Sequence, residues 1–134
     1  MAGYSGTPLA QKLGIKAGAR LLLADAPAAF ADWVAPLPEG VTLVGPRAKG
    51  VDVAVLFERR AAALRARFAR AARALAPNGG LWVAWPKRSA KVPTDLTEGV
   101  VREIGLAAGL VDNKVCAISE VWSGLRFVYR LKDR

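Results

Sequence analysis

Apolar residues fall along the chain in two rhythms. Continuous apolar runs of strand length occur at 20–24 (RLLLA), 51–57 (VDVAVLF) and 81–85 (LWVAW), with a shorter one at 41–44. The 51–57 run is β-branched and apolar on both faces, as a central strand covered by helices on both sides must be. Elsewhere apolar positions recur at helical spacing. Residues 59–76 carry Leu64, Phe68, Ala71 and Leu75 at intervals of 4, 3 and 4, a narrow stripe that predicts the longest helix. A short helix is predicted after Thr7-Pro8, with Thr7 as cap, Pro8 in its first position and Gly14 closing it. Another is predicted over 28–34. A further helix runs from Thr94 or Asp95 to about Ala108, with Asp95 and Glu98 at capping-box spacing and Gly109 ending it. Pro77-Asn78-Gly79-Gly80 reads as a turn, and 111–118 and 125–131 as strands of an antiparallel hairpin joined by SEVWSG.

This order of elements predicts the α/β class. The expected architecture is a three-layer Rossmann-like sandwich over residues 1–134 as a single domain. Its sheet of about six strands is mostly parallel, with right-handed crossovers, helices on both faces and a C-terminal antiparallel hairpin. At 134 residues and 53% hydrophobic composition the chain can build a core without disulfide or metal staples. No internal repeat or linker interrupts it. Trp82 and Trp85, three apart on one strand, point to opposite faces and are expected in the core.

Composition narrows the chemistry. The chain has no histidine, which removes Ser-His-Asp and Cys-His nucleophile systems, histidine proton shuttles and His-containing metal sites. Its one cysteine, Cys116, reads as a small buried hydrophobe on a strand of a protein kept in a reducing compartment. The N-terminal segment lacks an apolar core of signal-peptide length, and the longest apolar runs fall short of the roughly 20 residues that span a membrane. A cytoplasmic location without membrane contact is expected. No metal ligands, no catalytic residue and no cofactor are assigned: Glu98 and Glu103 are out of register for an acid–base pair, and Lys87 and Lys91 would need burial to act as bases.

Charge is concentrated in the middle of the chain. Residues 47–91 hold eleven Lys and Arg against Asp52 and Glu58, whereas the remainder is balanced at nine against nine, within a formal net charge of +9. Arg59, Arg60, Arg67, Arg70 and Arg73 crowd one flank and the outer face of the long helix, and no acidic residue lies three or four places away within it. That surface suits a solvated helix or, as an alternative, non-specific nucleic-acid binding.

The run from Val51 to Pro86, with ALAPNGGLWVAWP between helix and strand and a final hairpin, resembles the second half of a Rossmann-type methyltransferase, most specifically at LAPNGGLWV. The resemblance implies that the last antiparallel strand inserts between its two predecessors. SGTPLAQKLGIK, WPKRSAKVPTDLTE and VWSGLRFV resemble an uncharacterised bacterial family of unknown function, over nearly the whole length, which implies the fold and no established activity. In such methyltransferases a Gly-rich turn after the first strand cradles S-adenosylmethionine, because only glycine lets the backbone approach so closely. This chain has Ala24-Asp25-Ala26-Pro27-Ala28-Ala29 there. An acid expected after the second strand to take the ribose hydroxyls is replaced by Gly45-Pro46. Asp25 is read as a helix cap with adenosine contact as the alternative. The expectation is therefore a methyltransferase-like fold with its cofactor loop dismantled, an active enzyme being the alternative.

In open α/β sheets ligands sit beyond the carboxyl ends of the parallel strands. There the loop after 81–85 offers Lys87, Arg88, Ser89, Lys91, Thr94 and Asp95 beside a helix N-terminus, a combination suited to the phosphate or carboxylate of an anionic small molecule or nucleotide. Trp122 and Ser123, placed in the hairpin loop, are candidates to join them, the indole by stacking. Ser5-Gly6-Thr7 is a possible second anion contact. Solvated cations and simple capping explain the same residues without a ligand. A partner or oligomer surface is not readable from sequence.

Overall fold

The structure is a computed structural model describing residues 6–134, so Ser5 of the N-terminal anion-contact expectation lies outside the described residues. Its elements are α1 (Leu9–Lys12), β1 (Arg20–Ala24), α2 (Phe30–Val34), β2 (Thr42–Val44), β3 (Val51–Phe57), α3 (Ala61–Ala74), β4 (Leu75–Pro86), α4 (Glu98–Ala107), β5 (Leu110–Ala117) and β6 (Trp122–Tyr129). The strands form one sheet in the order β2-β1-β3-β4-β6-β5. β1 to β4 are mutually parallel and β6 runs antiparallel between β4 and β5. The Rossmann-like, mostly parallel sheet with its C-terminal hairpin is as the residue pattern predicts, and the insertion of the last strand is as the resemblance implies.

Two apolar cores lie on the two faces of the sheet. Leu64 and Phe68 of α3 and Val101 and Ile104 of α4 cover one face, meeting Leu56, Leu81, Val83, Leu125 and Phe127. Ala10 and Leu13 beside α1 and Phe30 and Val34 of α2 cover the other, meeting Val53, Val55, Phe57 and Trp82. β3 feeds both, which is why it is apolar and buried from Val53 to Phe57, with only Asp52 near its start exposed. Trp82 and Trp85 do point to opposite cores, and the Trp82 indole Nε1–H donates to Leu13 O at 2.9 Å, tying the α1 segment to the sheet.

Several local expectations are corrected. Thr7 does not cap α1: Pro8 holds the cap position and makes no side-chain bond. The inward stripe of α3 is completed by Ala72, with Ala71 only half-buried, and Leu75 already belongs to β4. Pro77-Asn78-Gly79-Gly80 does not end an element but forms an irregularity inside the β3–β4 ladder, where Val51 faces Leu75 and Val53 faces Gly80. A Cβ at Gly79 would sit 2.5 Å from Val51 O, so glycine is what lets the two backbones close up. β6 begins at Trp122, because the Ser119 hydroxyl accepts from the backbone N–H of both Val121 and Trp122 and tightens the hairpin turn earlier than the apolar pattern suggests. Cys116 lies on β5 as expected but is half-buried, and burial pushes its thiol pKa up from the ordinary value despite Lys12 and Lys114 nearby. No helix among the described residues is long and apolar enough to cross a membrane, and no cluster of metal-ligating side chains occurs among them.

Candidate functional site at the carboxyl end of the sheet

Beyond Pro86 the chain is held to the hairpin turn by Lys87 N–H donating to Val121 O at 2.7 Å, then makes one 3-10 turn over Arg88–Ala90. Lys91 follows in the left-handed region at φ 56°. The segment to α4 is fixed by two short polar side chains. Thr94 Oγ1 donates to Arg59 O at 2.7 Å and accepts from Leu96 N–H at 3.0 Å, folding a local turn that drives Leu96 into the core. Asp95 Oδ1 accepts from Ala61 N–H at 2.7 Å, so this carboxylate caps α3 rather than its own helix. That corrects the expected capping box. α4 starts at Glu98, and its cap is Thr97, whose side chain accepts from Val100 N–H at 3.2 Å. The crossing is physically sensible, because α3 has no acidic residue in its first turn and its cap position is Arg60, which interacts poorly with the positive end of the helix dipole.

These contacts wall a cleft of about 480 Å³ between the end of β4, the loop and the start of α4. Of the sequence-predicted residues, Lys87, Arg88, Thr94, Asp95 and Ser123 line it. Ser89 and Lys91 are exposed and do not, and the Thr94 hydroxyl donates its proton inside the protein. Trp122 is also outside the lining: it belongs to β6 and sets its ring edge-on to Phe57, with centroids 5.1 Å apart. Trp85, Val92, Leu96, Thr97 and Glu98 complete the walls. Trp85 and Ser123 were linkable only through the β4–β6 register, in which they are direct partners, and no local pattern carries that.

The charges in the cleft are unequally engaged. Glu98 is paired with Arg102 at 2.7 Å, and Arg102 also binds Asp112 at 2.9 Å; the hydrogen bonds that the guanidinium donates to the two acids, Glu98 foremost, raise its pKa above the ordinary value. Asp95 is engaged by the α3 amide. Lys87 and Arg88 have no acidic partner within ion-pair distance among the described residues. The first two amides of α4, at Glu98 and Gly99, have no intrahelical acceptor by the geometry of any helix start.

A second feature occupies the crevice beyond β1 and β3. Asp25, at φ 56°, does not cap α2, whose cap position is Ala29 with no side-chain bond. Instead Arg67 Nη1 donates to Asp25 Oδ2 and, at 3.0 Å, to Glu58 Oε2. Burial acts most strongly on this guanidinium and lowers its pKa, yet the bonds and charges of Glu58 and Asp25 together carry it above the ordinary value. Arg67 thus leaves the expected basic flank and stretches across the strand ends. Arg70, with Asp25, Pro46 and Arg67, lines a smaller, mainly apolar cavity of about 280 Å³ there. Arg59, Arg60, Arg70 and Arg73 are exposed and unpaired among the described residues, and Arg65 approaches Glu103 only at 3.9 Å.

The fold defined by this sheet order is that of S-adenosylmethionine-dependent methyltransferases. A methyltransferase of that kind from Aquifex aeolicus superposes with a TM-score of 0.64 at 14% identity, over 93% of this chain and 89% of that one. Magnesium protoporphyrin IX methyltransferase from Synechocystis, solved with bound cofactor, gives 0.57 at 10% identity over 91% and 74%. A possible exported protein from Bordetella parapertussis gives 0.64 at 13% identity over 90% of this chain and 64% of its own. This chain spans 41% of the neocarzinostatin O-methyltransferase, which it also resembles. No family model and no curated protein matches the chain.

Proposed function

We propose that residues 1–134 act as one cytosolic domain of methyltransferase fold that has given up S-adenosylmethionine and holds an anionic small molecule, such as a nucleotide or phosphorylated metabolite, in the cleft beyond β4. One observation carries this reading: in that cleft the acids are engaged by protein donors while Lys87 and Arg88 are not. Two unpaired cations, the Ser123 hydroxyl and the α4 amides leave a surplus of donors, which is what an oxyanion requires.

The crevice beyond β1 and β3 does not fit the cofactor. The turn after β1 has no glycine for close backbone approach, Pro27 removes a donor, and the Arg67 guanidinium bridges the two carboxylates at the strand ends. A sulfonium nucleoside entering there would meet a cation already in place.

Thermal melting with a panel of nucleotides and phosphorylated metabolites tests the proposal. A ligand-dependent rise in Tm is expected, abolished in a Lys87→Ala, Arg88→Ala double variant. A panel that shifts nothing refutes it. Calorimetry with S-adenosylmethionine is expected to give no saturable heat, and a micromolar isotherm would restore the active-methyltransferase reading. The exposed, unpaired Arg59, Arg60, Arg70 and Arg73 favour a second reading, non-specific nucleic-acid binding. It predicts affinity that falls steeply with salt.

A further inference from the structure

The opposite end of the sheet presents a cation of a different kind. Arg126 of β6 lies across Gly80 of β4, and a Cβ on Gly80 would collide with the guanidinium Nε, Cζ and Nη2. The strand therefore makes room for this side chain by having none of its own at that position. Arg126 is half-buried, and it has five N–H donors. Nη1 makes one long bond, 3.4 Å, to Asn113 Oδ1, and no carboxylate among the described residues pairs with the group. No described side-chain nitrogen or oxygen is buried without a partner, so the spare donors of Arg126 reach solvent.

That solvent fills a cleft of about 500 Å³, with Arg126, Asn78 and Lys16 among its lining residues. The one acid of the lining, Asp52, is turned to β1, where Oδ2 accepts the Arg20 backbone N–H at 2.8 Å. Lys16 is exposed and unpaired among the described residues. Burial, followed by the charge of Arg134, lowers the Arg126 pKa, the reverse of what the paired Arg67 and Arg102 experience. A guanidinium taken half out of water without a counter-ion is unfavourable by itself, and an external anion removes that penalty.

We propose that Arg126 and Lys16 form an oxyanion site at the amino end of the sheet, taking the phosphate or carboxylate group of a small molecule. The planar fork of Arg126 supplies two parallel N–H donors, Lys16 a mobile point charge and Asn78 a neutral donor. The site is separate from the Lys87 cleft, which lies at the other end of the same strands.

Calorimetry on the full chain carrying Lys87→Ala and Arg88→Ala, which removes the cations of the other cleft, tests this with two probes, inorganic pyrophosphate and malonate, in separate arms. Saturable binding of at least one is expected, and the arm that responds identifies the group as phosphate or carboxylate. Arg126→Gln and Lys16→Ala, each added to that background, should weaken the binding by about tenfold or more, the range for a charge-assisted hydrogen bond. Lys16 sits on an exposed loop, so Lys16→Ala carries the test if Arg126→Gln fails to fold. Absence of saturable heat in both arms overturns the proposal, as does binding that Lys16→Ala leaves as tight as before.

Discussion

Helix α4 holds two glycines for which the same substitution should act with opposite sign. Gly99 and Gly105 both lie in its helical span, where replacing glycine by alanine ordinarily gains up to about 1 kcal/mol from reduced backbone freedom in the unfolded chain. At Gly99 an added Cβ meets only Thr97 Oγ1 at 3.9 Å, an ordinary contact, so Gly99→Ala should realise that gain. At Gly105 the added carbon falls onto the ring of Phe127. Phe127 cannot swing aside, because it is fully buried and set at 90° to Phe68 with centroids 5.2 Å apart. Forcing a methyl into so filled a core costs about 1–3 kcal/mol, and here the upper end applies since ring carbons rather than a flexible tip are met. Net destabilisation of Gly105→Ala should be about 2 kcal/mol. Urea unfolding followed by circular dichroism measures both variants, with an unchanged m value showing that the folded state is the same. A Gly105→Ala midpoint that rises as much as that of Gly99→Ala would refute the packing argument. It would also loosen the account of how α4 is seated against the sheet, and hence of where its first amides point.

Asp95→Ala should lower stability by about 1 kcal/mol through loss of the α3 cap, and Asp95→Asn, which keeps an acceptor, by distinctly less; chemical denaturation separates the two. The half-buried Cys116 thiol is raised above its ordinary value near 9.0, so the folded protein retains this proton where the unfolded chain has lost it. Its contribution to stability is therefore complete below that ordinary value and declines as pH rises through the range between the unfolded and folded pKa. Cys116→Ser should remove that part of the alkaline decline in a pH series of melts, and a wild-type thiol that reacts with a disulfide reagent as fast as a free thiol would contradict the burial.

The fold was legible because its signals are local and redundant. Val51–Phe57 is apolar on both faces, Gly14 and Gly109 close helices at positive φ, and the long stripe of α3 has only one inward-facing solution. What failed was each choice between neighbouring polar residues that could all perform the same task. Thr94, Asp95 and Thr97 are equally good caps on paper. Which one caps α4 depends on α3 lying alongside with an uncapped Ala61 amide, a contact spanning 34 positions. The same applies to the candidate site. The loop 87–95 was identifiable from its place after a buried strand, but Ser89 and Lys91 turn outward only once the 3-10 turn and the left-handed Lys91 are formed. Trp122 was misplaced because the hairpin turn is tightened by a serine hydroxyl, a feature apolar periodicity does not register. Arg67 was legible as basic and not as a bridge, since both its partners lie outside its helix.

On the proposed reading, that bridge sets the difficulty of any attempt to engineer a nucleoside into this crevice. Introducing glycines into the first loop would leave the guanidinium standing in the doorway. Deleting Arg67 alone would strand two negative groups, one of them, Glu58, only 13% exposed. Such a design thus needs changes in the loop and at Arg67 together, which a mutational library sampling one position at a time does not contain.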